Sequence, residues 1–345
     1  MLFRKYIINV VIALNTIGLF GVSISNTPVC EVFTPKSLYG DKVFKISFVG
    51  DRSRASTCGG VAWFHDDNYL ATVNFEGGFI CTYKFNKSEN QFVPLQIVHE
   101  TQDAKLFSAE NVTFSPDGKL LAVSMNHTKK INVYRVSTET HLIDPIPVVI
   151  LQQKERNVHG IRFSHNNNYL ASTTVRGSSP ITIYKREEER VKLISQLENS
   201  FKLLKPKSLD FTHDDTYIAV VYAANVINIP NKTSGLVAIF KFDKNTGIID
   251  PNPVSLYQDN DNFDGGEDIN FSPDDSCIFI SEHARDRIIV HEFDKIHGKI
   301  GKRITELKNP EARLSFPHGL NISSDGKYLA VAHYGDDKFS VYLVH

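Results

Sequence analysis

Glu110, His159, Lys207, Glu267 and His318 are residues of this chain whose types and spacing could do chemistry together. Each stands three or four positions before an aromatic residue or isoleucine that opens a polar turn. Gly59 or Gly60 holds the same place in a first copy of the pattern. An imidazole moves protons near neutral pH, a carboxylate orients it, and an ammonium steadies a developing oxyanion. One reading is therefore a hydrolytic site, with His159 or His318 as general base, Lys207 at the oxyanion and Glu110 or Glu267 holding a histidine. A second is a metal site of two or three imidazoles and a carboxylate, donors that suit zinc or iron. A third is a polar rim whose groups bond neighbouring loops. Further along each copy lie Asn74, His127, Arg176, Glu282, His283, Arg285, His333 and Asp336. Of these, Asn74, Glu282, His283, Arg285 and His333 are expected to contact a ligand together with Glu110. No phosphate-binding glycine loop, nucleophile elbow or local zinc spacing is present, so no cofactor is expected and no metal ligand is assigned.

The elements that must position these groups come from a repeat. It reads Trp63 to Ala71, Phe114 to Ala122, Phe163 to Ala171, Phe211 to Ala219, Phe271 to Phe279 and Ile322 to Ala330. In each copy an aromatic or Ile is followed by Asn, Asp, Ser, His or Gly and then an apolar run. The anchors are 51, 49, 48, 60 and 51 residues apart, a period that means a propeller or solenoid. Val158 to Phe163 alternates with period two, the polar stretch has turn chemistry, and Tyr169 to Thr174 reads as a second strand. A third strand ends in Tyr83, Tyr134, Tyr184, Phe240, His291 or Tyr342, and a fourth closes the unit. The expected fold is an all-β, six-bladed β-propeller over residues 42–345, with seven blades as the alternative. The last copy lacks a fourth strand, and Lys42 to Val49 is a strand without a copy of its own; pairing the two would seal the ring. The surplus of the 60-residue period, Ala223 to Ser234, reads as a polar loop.

A net charge of −1 over 345 residues argues against a nucleic-acid partner or a polybasic membrane surface. Arg4 and Lys5 precede an apolar run from Ile7 to Ile24, with small Ser23 and Ser25 before a polar stretch. Residues 1–25 are thus expected to be a signal peptide or an uncleaved anchor, and 26–41 a lead-in, which makes the protein exported or membrane-anchored. Of four cysteines, Cys30 and Cys58 could bridge, and Cys277 is expected as a buried free thiol. Arg186 to Arg190 reads as a solvated hairpin tip. Asp117, Asp214, Asp274 and Asp325 read as turn residues. Thr113, Arg162, Asp210, Asn270 and Asn321 read as a column bonding blade to blade. Asn86, Asn111, Asn126, Asn231 and Asn321 open Asn-x-Ser/Thr triplets, of which Asn111 and Asn321 fall in inner strands.

The stretch Phe114-Ser-Pro-Asp-Gly-Lys-Leu-Leu-Ala, followed by Ile131-Asn-Val-Tyr134, resembles bacterial propeller repeats. It is most similar to the lactonase-type family that includes a 6-phosphogluconolactonase, with WD-repeat proteins as a second likeness. Residues 311–345 carry it best, through Phe316-Pro-His-Gly-Leu-Asn-Ile-Ser-Ser-Asp-Gly and Phe339-Ser-Val-Tyr342. The family's Pro-Arg signatures appear here as Pro206-Lys207-Ser208 and Pro317-His318-Gly319, and its usual seven blades as six. The resemblance implies hydrolysis of a small lactone at the His/Glu/Lys mouth. The leading expectation from the residues is a protein- or ligand-binding scaffold acting through one loop-rich face, and a metal-binding propeller is a further alternative. A binding face would expose aromatics such as Phe75, Tyr222 and Tyr334; an enzyme would converge its polar column around a pocket.

Overall fold

In the computed structural model, residues 42–45 and 57–344 are described, except for 65, 90, 154–156, 179, 202–203, 225–234, 260–261, 309–313 and 336–337. The expected signal segment, the lead-in, Cys30, Asn231 and Asp336 lie outside the described residues.

Alternation with period two and turns rich in Asn, Asp and Gly build six antiparallel sheets around one axis. The innermost strands are Cys58–Phe64, Ala109–Phe114, Val158–Phe163, Leu204–Phe211, Asp268–Phe271 and Pro317–Ile322. Each is followed outward by its second strand: Tyr69–Asn74, Leu120–Met125, Tyr169–Thr174, Tyr217–Ala224, Cys277–Glu282 and Tyr328–His333. Blade four splits its outer edge between Ile248–Ile249 and Ser255–Tyr257, both paired to Leu236–Asp243. Blade six takes its outer strand from the front of the chain, where Lys42–Lys45 runs antiparallel to Lys338–Leu343 with Phe44 opposite Phe339. The expected closure is therefore made, by the first four residues of the stretch proposed for it.

The core is a ring of interfaces, one between each pair of neighbouring blades. Ala62, Phe64, Val73 and Ile80 of blade one pack on Val112, Val123, Met125 and Tyr134 of blade two. Val61, Trp63, Phe79 and Tyr83, on the other face of blade one, pack on Ala330, Ala332 and Phe339 of blade six. Inner and second strands are thus covered on both faces: Leu120–Met125 is buried throughout, whereas the outer Arg190–Leu197 is largely exposed. The predicted third-strand aromatics and His291 are all buried.

The turn residues do two jobs. Asp117, Asp214, Asp274 and Asp325 each accept from the Ser or Thr two positions earlier, at 2.6, 2.8, 2.7 and 2.7 Å, which is the expected turn chemistry. Where the following residue is Asp rather than Gly, it takes positive φ and clasps the preceding blade. Asp215 (φ 55°) accepts from His165 N and Asn166 N, Asp275 (φ 57°) from His213 N, and Asp67 (φ 59°) from Ser324 N and Oγ. Of the stretch 186–190, the solvated-tip reading holds only in part. Arg186 is buried, donates to Asp117 Oδ2 at 2.8 Å and lies over the Phe163 ring, because its guanidinium bridges blades two and three. The Cys30–Cys58 pairing is not formed. Cys58 is not disulfide-bonded and lies in the core between blades six and one, and Cys277 is a half-buried free thiol. Cys81 is disulfide-bonded to a partner outside the described residues.

Candidate functional site

The column of candidate residues sits on irregularities in the inner strands. The register against the second strand shifts between Ala109 and Asn111, Val158 and Ile161, Pro206 and Ser208, and Pro317 and Leu320. Glu110, His159, Lys207 and His318 fall inside those shifts. A bulge inserts an extra residue and re-aims its side chain, which is how successive blades turn these groups toward one another. Blade one has a shift between Cys58 and Gly60, and there Gly59 contributes only its carbonyl.

Second-strand hydroxyls hold the bulges in place. Ser124 Oγ accepts from Asn111 N at 3.1 Å and donates to the His159 carbonyl at 2.5 Å in the next blade. Thr173 Oγ1 accepts from Gly160 N at 2.8 Å and donates to the Lys207 carbonyl at 2.7 Å. Ser281 Oγ accepts from Asp268 N at 2.9 Å and donates to the His318 carbonyl at 2.5 Å. These hydroxyls belong to the site's scaffold and were not singled out by the sequence reading; a Ser or Thr in the last half of an otherwise apolar second strand, alone as Ser124 and Ser281 and within Ser172-Thr173-Thr174, is the signal that marks them. Thr173→Val keeps the shape of the side chain but removes both bonds inside a buried layer. It is expected to cost about 1–3 kcal/mol in urea unfolding, and a cost below a few tenths would count against this role.

The side chains converge. His159 Nε2 lies 2.9 Å from Glu110 Oε1 and 3.3 Å from Glu267 Oε2. His318 Nε2 lies 3.1 Å from Glu110 Oε1 and 3.6 Å from Glu267 Oε2. Lys207 Nζ donates to Glu267 Oε2 at 3.0 Å. His283 Nδ1 lies 2.8 Å from Glu267 Oε1, off the line of a good hydrogen bond. Asn126 Nδ2 donates to Glu110 Oε2 at 2.9 Å, and His318 Nδ1 lies 2.9 Å from the Gly59 carbonyl. All five column residues therefore meet, and His283 of the second set joins them. Lys207 and His283 keep 21% and 28% of their side chains exposed, whereas Glu110, His159 and Glu267 keep 3% each.

Burial alone would raise both carboxyls, but the neighbouring charges and hydrogen bonds overcome it. Glu110 is held well below the usual carboxylate range by His159 and His318, and Glu267 by Lys207, His159 and His283. Burial pushes His159 down, but the Glu110 carboxylate and bonds to both carboxylates more than offset it, and its pKa is raised. This is a charged group packed under a mouth, with a lysine and a histidine at its solvent edge.

The other ligand candidates lie elsewhere. Glu282 and Arg285 belong to a network with Asp264 and Arg287 that holds Asn262 and Asp264. His333 is buried, with Nδ1 receiving Ser315 N and Nε2 at 2.8 Å from Ser340 Oγ. Asn74 is buried, with neither amide atom hydrogen-bonded among the described residues. His127 packs edge-on against Phe75, and Arg176 is exposed. Phe75 and Tyr222 are buried and Tyr334 is half-buried against the His318 ring. Among the described residues, Phe107, at 39%, and Phe316, at 51%, are exposed at the same mouth.

Below the cluster the axis is filled by a second layer that the sequence reading saw only in part. Arg162 donates to both oxygens of Asp268, at 3.1 and 2.9 Å, and to Asn111 Oδ1 at 3.0 Å, and Ser208 Oγ donates to Asp268 Oδ1 at 2.6 Å. The column expected to bond blade to blade does so where Asn270 Nδ2 donates to Asp210 Oδ2 and Asn321 Nδ2 to Asn270 Oδ1, both at 3.1 Å. Beyond this plug, at the opposite mouth, a cavity of 590 Å³ is lined by Phe64, Phe114, Phe271, Asp210, Arg162 and His213, among others. Burial lifts the Asp210 carboxyl to about 6 against the pull of Arg162. A folded value above the ordinary 3.8 means that ionisation costs stability: Asp210 is tolerated best at low pH, and its cost grows as the pH rises through about 6. Asp210→Asn is therefore expected to be near neutral in stability at about pH 4 and stabilising by on the order of 1–3 kcal/mol at about pH 8. Paired thermal melts at the two pH values read this difference, and a variant equally destabilised at both would contradict it.

Fold and site together define a β-propeller that gathers ionisable groups from several blades at one mouth. The chain belongs to the lactonase family of β-propellers: that family's model, a lactonase 7-bladed β-propeller, matches residues 52–260 and 231–345. The family description counts seven blades, and this ring closes with six. Among solved structures the chain is similar to a candidate 6-phosphogluconolactonase of Bacteroides uniformis, at 15% identity and a TM-score of 0.61, covering 89% of this chain and 85% of that one. It is similar to a Lactobacillus plantarum protein at 15% identity and a TM-score of 0.62, covering 91% of each chain. A periplasmic gluconolactonase of Pseudomonas aeruginosa matches at 16% identity and a TM-score of 0.53, covering 82% of this chain and 73% of that one. At such identities the likeness is one of fold. No curated protein matches the chain in sequence.

Proposed function

We propose that the protein hydrolyses a small hydroxylated lactone at the mouth formed by Lys207, Glu267 and His283. The observation that carries this reading is Glu267, a buried carboxylate touching Lys207 Nζ at 3.0 Å and His283 Nδ1 at 2.8 Å, both of which reach solvent. Nδ1 lies 2.8 Å from the Glu267 carboxylate but off a hydrogen-bonding line, so a small turn of the ring is what lets a neutral His283 hold its proton there and offer Nε2 as base. His283 Nε2 takes a proton from water as the water oxygen attacks the lactone carbonyl carbon. Lys207 binds the oxygen that becomes negative. The ring C–O bond then breaks and the proton passes to the leaving alkoxide, giving the open hydroxy acid. Phe316, whose ring lies 6.2 Å from His283, and Phe107 supply apolar faces for the ligand's ring. His159 and His318 are the less suitable bases, since each Nε2 already faces two carboxylates. Family membership supports the reaction class, and the burial of Phe75 and Tyr222 removes two anchors of a flat binding face. The test is turnover of a panel of sugar γ- and δ-lactones by the purified protein, with Lys207→Met and His283→Gln alongside. No turnover of any lactone, or turnover unaffected by both substitutions, overturns the reading.

We further propose export. The N-terminal Arg4–Ser25 pattern supports it, as does a disulfide at Cys81, since disulfides persist in oxidising compartments. N-terminal sequencing of the mature protein is expected to begin near Asn26.

A further inference from the structure

We propose that Glu110, His159 and His318 form a binding site for a divalent transition-metal ion of the zinc, cobalt or manganese kind. The inference concerns the same mouth as the lactone reading but does not depend on it. Glu110 Oε1, His159 Nε2 and His318 Nε2 lie within 4.8 Å of one another on three different blades, and all three residues are buried. Both imidazoles aim Nε2 at the same carboxylate oxygen, at 2.9 and 3.1 Å. Glu267 Oε2 stands 3.3 and 3.6 Å from the two nitrogens and completes a set of two imidazoles and two carboxylates.

The partners of His318 make the case sharper. Its Nδ1 faces the Gly59 carbonyl, which can only accept, so that nitrogen carries hydrogen. Its Nε2 faces Glu110 and Glu267, which as carboxylates can only accept as well. Two acceptors thus face Nε2, an arrangement that a cation placed between them satisfies. A carbonyl on Nδ1 that fixes the tautomer and frees the Nε2 lone pair is the usual outer support of a metal-bound histidine. Asn126 Nδ2, 2.9 Å from Glu110 Oε2, performs the matching service for the carboxylate and leaves Oε1 to the ion. An ion with tetrahedral bonds of about 2.1 Å separates its ligands by about 3.4 Å, and the four contacts at 2.9, 3.1, 3.3 and 3.6 Å all lie within about 0.5 Å of that spacing. Nitrogen and carboxylate donors without thiolate suit zinc, cobalt or manganese. Lys207, on Glu267, is the one cation of the group that opposes the ion.

The test is titration of the chelator-stripped full chain with zinc by calorimetry, and with cobalt by visible absorption. One ion per chain is expected, with cobalt ligand-field bands that vanish on adding zinc. His159→Gln and His318→Gln are each expected to weaken zinc binding by about 10-fold to 100-fold. Lys207→Met is expected to tighten it several-fold by removing the competing charge, an effect that a purely structural role for the cluster would not produce. Circular dichroism and thermal melts establish that each variant is folded. Zinc and cobalt dissociation constants weaker than about 1 mM would overturn the proposal, as would tight binding that folded His159→Gln and His318→Gln leave unchanged. Lactone turnover is measured on the stripped and loaded samples in parallel. Turnover without metal binding sinks only the metal site, and metal binding without turnover sinks only the lactonase reading.

Discussion

Glu267→Gln is expected to lower kcat/KM for a hydroxylated lactone by about 10²–10³-fold with little change in KM. The carboxylate is the one group in contact with Lys207, His159 and His283 at once, and a neutral amide is nearly the same size. Its removal takes the counter-ion from Lys207, and the amide keeps only one oxygen, so either Lys207 or His283 then meets an NH2 group, and the chemical step suffers rather than substrate binding. A companion Glu267→Asp variant, one methylene shorter, is expected to recover part of the loss. The sensitive outcome is a Glu267→Gln enzyme with kcat/KM within about threefold of the parent, which would place the reacting groups elsewhere.

Glu110→Ala is expected to destabilise the fold by about 3–5 kcal/mol in chemical denaturation, or to prevent folding. Glu110 is buried and receives His159 and His318 on one oxygen and Asn126 on the other. Truncation strands two buried imidazoles and takes the acceptor from the half-buried Asn126 amide, and breaking a buried pair by deleting one partner is the costly direction. The pH sense follows from the carboxyl being held below its ordinary value of 4.5. The stability it contributes is present above that value and is lost as the pH falls below it toward the folded value. The difference in stability between parent and a folded Glu110→Gln variant should therefore shrink in acid. A difference that stayed constant from about pH 7 to about pH 3 would show that the charge of Glu110 does not hold the cluster together.

How much of this could be read in advance depended on how local each cause is. The blade pattern was legible because it rests on alternation and on turn chemistry confined to a few residues, as in Phe114-Ser-Pro-Asp-Gly. The column Glu110, His159, Lys207, Glu267 and His318 was also legible as a column, since equal offsets from equal anchors occupy equivalent places in equivalent blades. The set after the second strand was not ranked by this: Glu282, Arg285 and His333 stand at offsets close to that of His283, yet they bond within their own blades and loops. Asp268 is in the same position. It holds Arg162, Ser208 and the Leu320 amide at the axis, but in the sequence it is one carboxylate in a short strand.

The sequence by itself pointed to six blades and their strand order, because hydrogen bonding within a blade mostly joins residues within about 50 positions of one another, and it pointed to the closing strand because the last copy lacks a fourth strand of its own. Only the tertiary structure decided that Glu110 and Glu267, separated by 157 residues, share two imidazoles, and that the one of them bearing on solvent-reaching groups is Glu267. The reason is physical. A side chain's direction at the axis is set by the bulge in its own strand, by the Ser124, Thr173 and Ser281 bonds to the next blade, and by the angle at which the ring closes. That angle belongs to all the blades at once and is encoded in none of them singly.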